Sequence, residues 1–192
     1  MLSITPSLYS AYYWYAIKDY GTKEDFLRVL RKEPSEPTPS IQAGIDFEDR
    51  VHNICEGQIA PCEDVASEIA DIVKEGIWQP WVGREYKGLW LYGRADVIKC
   101  DTIYDIKTCE SYDIGKYLYS LQHHIYSYCT EISKFIYLVN EKKKTSERLY
   151  FEEYNFDNSA VEDMDSKIND LIGFIEGNDE FRKEYEDKWL RK

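Results

Sequence analysis

Between Trp78 and Thr108 the pattern of the chain changes from helical to alternating, and this change constrains the fold more than any other feature. Trp78–Glu85, Leu89–Lys99 and Thr102–Thr108 are rich in Trp, Tyr, Val and Ile and are parted by Tyr86-Lys87-Gly88 and Cys100-Asp101. That pattern predicts three consecutive antiparallel strands. A turn through Cys100-Asp101 sets residue 96 opposite residue 105. Asp96 and Asp105 then share one face, with Cβ atoms ~5 Å apart. Side chains alternate along a strand, so Lys107 joins them while Ile106 points away. Two like charges so placed repel, and a divalent cation between them removes the repulsion. Two carboxylates, a backbone carbonyl and water make an oxygen shell that Mg²⁺ or Mn²⁺ accepts. The same residues also suit two solvated aspartates with Lys107 as their salt-bridge partner.

Helical segments flank these strands. Ser7–Leu30 places Leu8, Tyr12, Tyr15, Phe26 and Leu30 at helical spacing. The run Glu33–Ser40 carries three prolines in eight residues and predicts a loop. Ser40 is a candidate N-cap for a helix over Ile41–Glu56, and Cys62–Glu75 predicts another. Ser111–Ile132 carries one apolar stripe, Ile114, Leu118, Leu121, Ile125, Cys129 and Ile132, which predicts a long helix. Phe135–Asn140 predicts a short apolar strand, Glu141–Glu147 a charged turn and Leu149–Asn155 an edge strand. Ser159–Glu176 and Asp179–Leu190 predict two final helices. The sum is an α/β or α+β chain, a mixed sheet of about five strands flanked by helices.

At 192 residues the chain suits one domain with a full core. The expected division is a helical segment over 1–33, a core over 41–155 and C-terminal helices over 156–192. Net charge is −12, which argues against coating nucleic acid by bulk electrostatics but not against a local, metal-containing cleft. Five cysteines, 55, 62, 100, 109 and 129, make no CxxC pair, so reduced thiols in a cytoplasm are expected rather than a disulfide frame or a zinc ribbon. No apolar run reaches the ~20 residues of a membrane span, and no membrane association is expected. The start, Met1–Tyr20, lacks the basic and then apolar order of a signal peptide. No GxxxxGK[ST] loop occurs, which excludes a P-loop helicase.

Gly93-x-x-Asp96, then Asp105-Ile106-Lys107-Thr108 on the next strand, then Gln122-x-x-x-Tyr126 on the next helix follow in order. This order resembles the PD-(D/E)XK nuclease superfamily, in particular its RecB-like nucleases and lambda-type phage exonucleases, whose motifs run GxxD, (D/E)xK, QxxxY. The resemblance spans about Ile41–Asn140, and Leu2-Ser-Ile-Thr-Pro-Ser-Leu8 is similar to the opening of RecB-like domains. It implies a restriction-endonuclease-like core with an upstream helical ligand. Gly44-Ile-Asp-Phe47-Glu48 resembles the family's G-x-x-(aromatic or aliphatic)-(E/H), which points to Glu48. Gly44, at i−4, leaves room beside that carboxylate. His52, one turn later, is the rival.

The resemblance implies that Glu48, Asp96 and Asp105, with the Ile106 carbonyl, hold Mg²⁺ or Mn²⁺. Lys107 would help deprotonate the attacking water or stabilise charge, and Gln122 and Tyr126 would line the cleft. His123 and His124 are expected at the surface. Some RecB-like relatives bind an iron–sulfur cluster through one N-terminal and three C-terminal cysteines. Here the N-terminal place holds Tyr13 and Trp14 and no cysteine follows Cys129, so no iron–sulfur cluster is expected. The implied function is a metal-dependent deoxyribonuclease, an exonuclease of phage or prophage type in recombination or end processing. DNA is the expected partner, as linear duplex or single-stranded ends. A single-strand annealing or recombination partner and a homo-oligomer are compatible with it. The alternatives are a non-catalytic nucleic-acid-binding or assembly module on the same fold, and an acidic DNA mimic.

Overall fold

Short polar side chains start the helices. In the computed structural model, which describes residues 1–190, Thr5 caps α1 (Pro6–Tyr12), and α1 runs on into a π-helical turn over Tyr13–Ile17. Thr22 and Asp25 form a reciprocal capping box at α2 (Lys23–Leu30). Thr38, not Ser40, caps α3 (Pro39–Cys55): its hydroxyl accepts the Ile41 N–H at 3.3 Å. Pro39 has no N–H to waste and fits the first helical position, so the helix starts earlier than Ser40 predicts. Asp64 caps α4 (Val65–Val73), shorter than the expected Cys62–Glu75.

The expected three strands are five. Gln79-Pro80 separates β2 (Ile77–Trp78) from β3 (Trp81–Tyr86), and Ala95-Asp96 separates β4 (Leu89–Arg94) from β5 (Val97–Lys99). The two breaks face each other. Gln79 N–H donates to the Asp96 carbonyl at 2.8 Å and Ala95 N–H to the Pro80 carbonyl at 3.1 Å. There the ribbon turns from one sheet into another. A three-stranded sheet runs β1 (Leu2–Ile4), β4, β3. A five-stranded mixed sheet runs β2, β5, β6 (Thr102–Cys109), β7 (Lys134–Lys143), β8 (Ser146–Asn155). The β5–β6 hairpin turns at Cys100-Asp101, and β6 and β7 pair in parallel. Strand β1, absent from the sequence reading, pairs in parallel with β4. Three residues are too few to show a period.

The expected helix over Ser111–Ile132 is shorter, α5 (Gln122–Thr130). Two glutamates of the neighbouring strands capture backbone donors of this segment, and a helix from Ser111 would need the one on Tyr117 for its own ladder. Glu141 takes the Tyr112 N–H at 3.1 Å and Glu152 the Tyr117 N–H at 3.2 Å. Gly115 turns the segment at φ +83°. Ile114, at 96% exposed, therefore belongs to no core face. The charged turn expected over Glu141–Glu147 shrinks to Lys144-Thr145 between paired strands.

Two apolar layers sandwich the larger sheet. Phe47 and Val51 of α3 and Ile69 and Val73 of α4 pack on Val97, Ile106, Ile136 and Leu138. The other layer joins Ile103, Phe135 and Tyr137 to α5, to α1 and α2, and to α6 (Asn158–Glu176) and α7 (Asp179–Trp189). The last helix closes this layer: Tyr185 Oη donates to the Ser3 carbonyl at 2.9 Å and Trp189 Nε1 to the Leu30 carbonyl at 2.8 Å. Among the described residues no helix is long and apolar enough to cross a membrane.

Trp189 is 5% exposed, so Trp189→Ala is expected to cost about 3–5 kcal/mol through its cavity and the orphaned Leu30 carbonyl. The measurement is the shift of the urea midpoint, and a change below about 1 kcal/mol would contradict this account of the last helix.

Candidate active site

Strand β6 carries two faces. Ile106 packs into the α3–α4 layer while Ile103 packs into the α5 layer, so Asp105 and Lys107 stand on the α5 side. The paired register of the hairpin ends at Val97 opposite Tyr104, one residue short of the expected Asp96–Asp105 pair. Asp96 itself has left the strand. Its Oδ2 accepts the Ile106 N–H at 2.7 Å, standing in for the strand that has turned away.

Asp105 is fully buried at 0% exposed. Its Oδ1 accepts from Gln122 Nε2 at 2.9 Å. Its Oδ2 lies 2.5 Å from Lys107 Nζ as an ion pair. Gln122 is the first residue of α5, and Tyr126 follows one turn later on the same side. Tyr126 Oη donates to the Arg94 carbonyl at 2.9 Å, and its ring lies over Gly93. A Cβ on Gly93 would stand 2.6 Å from Tyr126 Cε1. The Gly93-x-x-Asp96 and Gln122-x-x-x-Tyr126 motifs are thus in contact, and the glycine is required by that contact. Gly44 has no such reason: a Cβ there would meet nothing within 4 Å.

The cluster is electrostatically costly. Burial, then the Asp105 and Glu48 charges, push the Asp96 carboxyl well above the usual carboxylate range, against the pull of Lys107 and the Ile106 N–H. Burial raises Asp105 as well, opposed by Lys107 and Gln122. Burial alone would lower Lys107; Asp105, Asp96 and Glu48 outweigh it and hold the ammonium above the ordinary lysine range. As the chain stands, Lys107 is a cation at neutral pH.

Glu48, on α3, is half-buried and accepts from Gln79 Nε2 at 2.8 Å. The Gln79 backbone N–H in turn donates to the Asp96 carbonyl, so Gln79 ties Glu48 to the strand break beside Asp96. His52 is turned elsewhere. Its ring lies 4.5 Å from the Trp78 ring and its Nε2 3.8 Å from Glu56. Gln79 is a residue the sequence reading missed. Its signal is the Gln-Pro pair inside an apolar strand, at φ +48°.

Among the described residues, no three His, Cys, Asp or Glu side chains form a group that could hold a metal ion as they stand. The donor chemistry still fits a hard divalent cation. Glu48, Asp96 and Asp105 are all carboxylates, and the mutual repulsion and burial that raise the Asp96 carboxyl are what such a cation would relieve.

His123 and His124 are buried, at 6% and 2% exposed, not at the surface as expected. The α5 helix lies between the sheet and α6, so both of its sides are covered. His123 Nδ1 meets Tyr137 Oη at 3.2 Å, and burial lowers its pKa to about 2. His124 Nε2 meets Asp163 at 2.9 Å, and burial lowers its pKa to about 4.

The chain matches no protein-family model and no curated protein. Its fold is shared with solved structures of exonucleases. An alkaline exonuclease (LHK-Exo) from Laribacter hongkongensis superposes with a TM-score of 0.54 at 12% identity, over 98% of this chain and 95% of that one. An exonuclease candidate from Eubacterium rectale gives 0.52 at 12% identity, over 99% and 90%. At these identities the likeness is one of fold.

Two variants test the geometry. Gly93→Ala must displace Tyr126 and is expected to destabilise by about 1–3 kcal/mol, whereas Gly44→Ala is expected to be stabilising or neutral, because α3 gains a better helix former. Asp96→Asn keeps an oxygen for the Ile106 N–H and removes a charge that burial disfavours. Its thermal midpoint at neutral pH is expected to rise by about 2–4 °C. A raised folded pKa makes the wild-type aspartate cost stability as pH rises above the ordinary 3.8. The gain should therefore shrink on acidification toward that value, and a gain that grows instead would reverse the assignment.

Proposed function

We propose that this chain is a divalent-metal-dependent deoxyribonuclease that hydrolyses phosphodiester bonds at DNA ends, an exonuclease of the phage or prophage type. The observation that carries the reading is the pair of buried Asp105 and half-buried Lys107 beside Asp96, held by Gln122 and reached electrostatically by Glu48. The fold shared with exonucleases supports the same reading.

Glu48, Asp96 and Asp105 would hold Mg²⁺ or Mn²⁺, with the Ile106 carbonyl as a further oxygen donor. Bound there, the metal would supply a Lewis acid to polarise the phosphate and acidify water. Lys107 presents its ammonium to the phosphate oxygens, where negative charge grows as water adds to phosphorus and the ester P–O bond breaks. Gln122 fixes the Asp105 carboxylate by donating to Oδ1, and Tyr126 fixes the backbone just ahead of Asp96.

Labelled linear duplex, single-stranded and nicked DNA with Mg²⁺ or Mn²⁺ provide the test, with EDTA as control. Degradation with metal and none with EDTA is expected, and Ca²⁺ should support little cleavage because its larger shell positions water poorly. Asp105→Ala should abolish cleavage. Lys107→Ala should lower turnover on the order of 100-fold or more while calorimetric metal binding persists. Wild-type protein inert on all three substrates with both metals would favour a non-catalytic module on a nuclease fold.

A further inference from the structure

Gln79 stands in a backbone conformation that its place in the fold does not explain. Among the described residues, seven non-glycine residues have a positive φ. Lys87 and Cys100 turn hairpins, and Asp19, Lys32, Glu75 and Glu131 follow the ends of helical segments, where the left-handed region is common. Gln79, at φ +48°, sits between β2 and β3 instead. A glycine would take that conformation at no steric cost. The reason for a glutamine therefore lies in its side chain.

That side chain reaches across to α3. Gln79 Nε2 donates to Glu48 Oε1 at 2.8 Å, and the Gln79 backbone N–H donates to the Asp96 carbonyl at 2.8 Å. One residue thus binds Glu48 by its side chain and Asp96 by its main chain. One helical turn on, the His52 ring lies 4.5 Å from the ring of Trp78, the residue before Gln79. Trp78 in turn pairs with Val97, the residue after Asp96. The reach of Glu48 from α3 is set by these contacts and not by its own rotamers. The donor is also neutral. A Lys or Arg in its place would hold Glu48 but cancel the charge that attracts a cation; a carboxamide orients the carboxylate and leaves the charge whole. Loss of such a bond behind a metal ligand weakens metal binding about 10- to 100-fold.

We propose that Gln79 is a positioning residue for the metal centre, whose carboxamide presents the Glu48 carboxylate to the same divalent cation as Asp96. The proposal rests on the deoxyribonuclease reading for its cation.

The test is Mn²⁺ binding by calorimetry, with no DNA present. Gln79→Gly suits it because glycine accepts φ +48°. Its thermal midpoint in EDTA should stay within about 3 °C of wild type, while Mn²⁺ affinity falls about 10- to 100-fold. Gln79→Met keeps the length of the side chain without the donor and should lose as much affinity; it carries the comparison should the glycine variant not fold. On a Glu48→Gln background, Gln79→Gly should cost no further affinity, because the residue acts through Glu48. A carboxylate that leaves bound Mn²⁺ makes room for water, so the water-proton relaxivity of the bound ion should rise in both single variants. Affinity in both variants equal to or above that of wild type overturns the proposal, as does a further loss on the Glu48→Gln background equal to that in wild type. A large fall in thermal midpoint with unchanged affinity marks a structural bond only and overturns it too. If wild type binds no Mn²⁺, the metal-dependent reading falls and takes this role with it. If wild type binds Mn²⁺ and the variants match it, the positioning role alone falls.

Discussion

One substitution of partners organises the molecule: the Ile106 N–H is satisfied by the side chain of Asp96 and not by a neighbouring strand. A buried backbone donor must be paired. Because Asp96 supplies that pair at 2.7 Å, the ribbon is free to leave the larger sheet at Ala95 and build a second one with β1 and β3. The opening this creates is where the Glu48–Gln79 pair reaches the end of β5 and where α5 lays Gln122 and Tyr126 against β6 and β4. With Asn or Ser at position 96 the backbone bond could survive; the acidity of the site could not.

Much of this was legible from residue order, and the failures have physical causes. The register of the β5–β6 hairpin follows from a two-residue turn, and the structure keeps it as far as Val97 opposite Tyr104. Sequence order alone could not show that the strand through Asp96 is broken, because Ala95 and Asp96 carry no local stop signal and the break is made by Pro80 on the partner strand. The helix expected from Ser111 fails where Glu152, distant in sequence, captures the Tyr117 N–H and Gly115 turns the chain. His123 and His124 look like surface residues on a helix with one apolar stripe; α6 covers the opposite side and buries them. Thr38 outcompetes Ser40 as a cap because Pro39 lies between them. Long-range packing is the common element in most of these cases, and a local pattern carries no record of it.

Under the proposed function, the chain would meet a polyanion at close range only. A net charge of −12 repels DNA at distance. At physiological ionic strength charges are screened beyond ~8 Å, so the local lining of a cleft outweighs the sum. Lys107 contributes there only because three carboxylates keep it charged in a site where burial works against it. Asp105 and Asp96 in turn lean on Lys107, whose charge lowers both of their pKa values.

The contact between Gly93 and the ring of Tyr126 carries a consequence for how such a chain can diverge. The two positions lie 33 residues apart in the numbering and occupy the same volume, since a Cβ on one would sit 2.6 Å from the ring of the other. They cannot drift independently. In a lineage that trades Tyr126 for a small side chain, position 93 is released to accept a larger one, and the Arg94 carbonyl must find another donor. In a lineage that keeps the tyrosine, the glycine is frozen. Paired substitution at these two columns is thus the evolutionary signature that this packing would write into a collection of descendants.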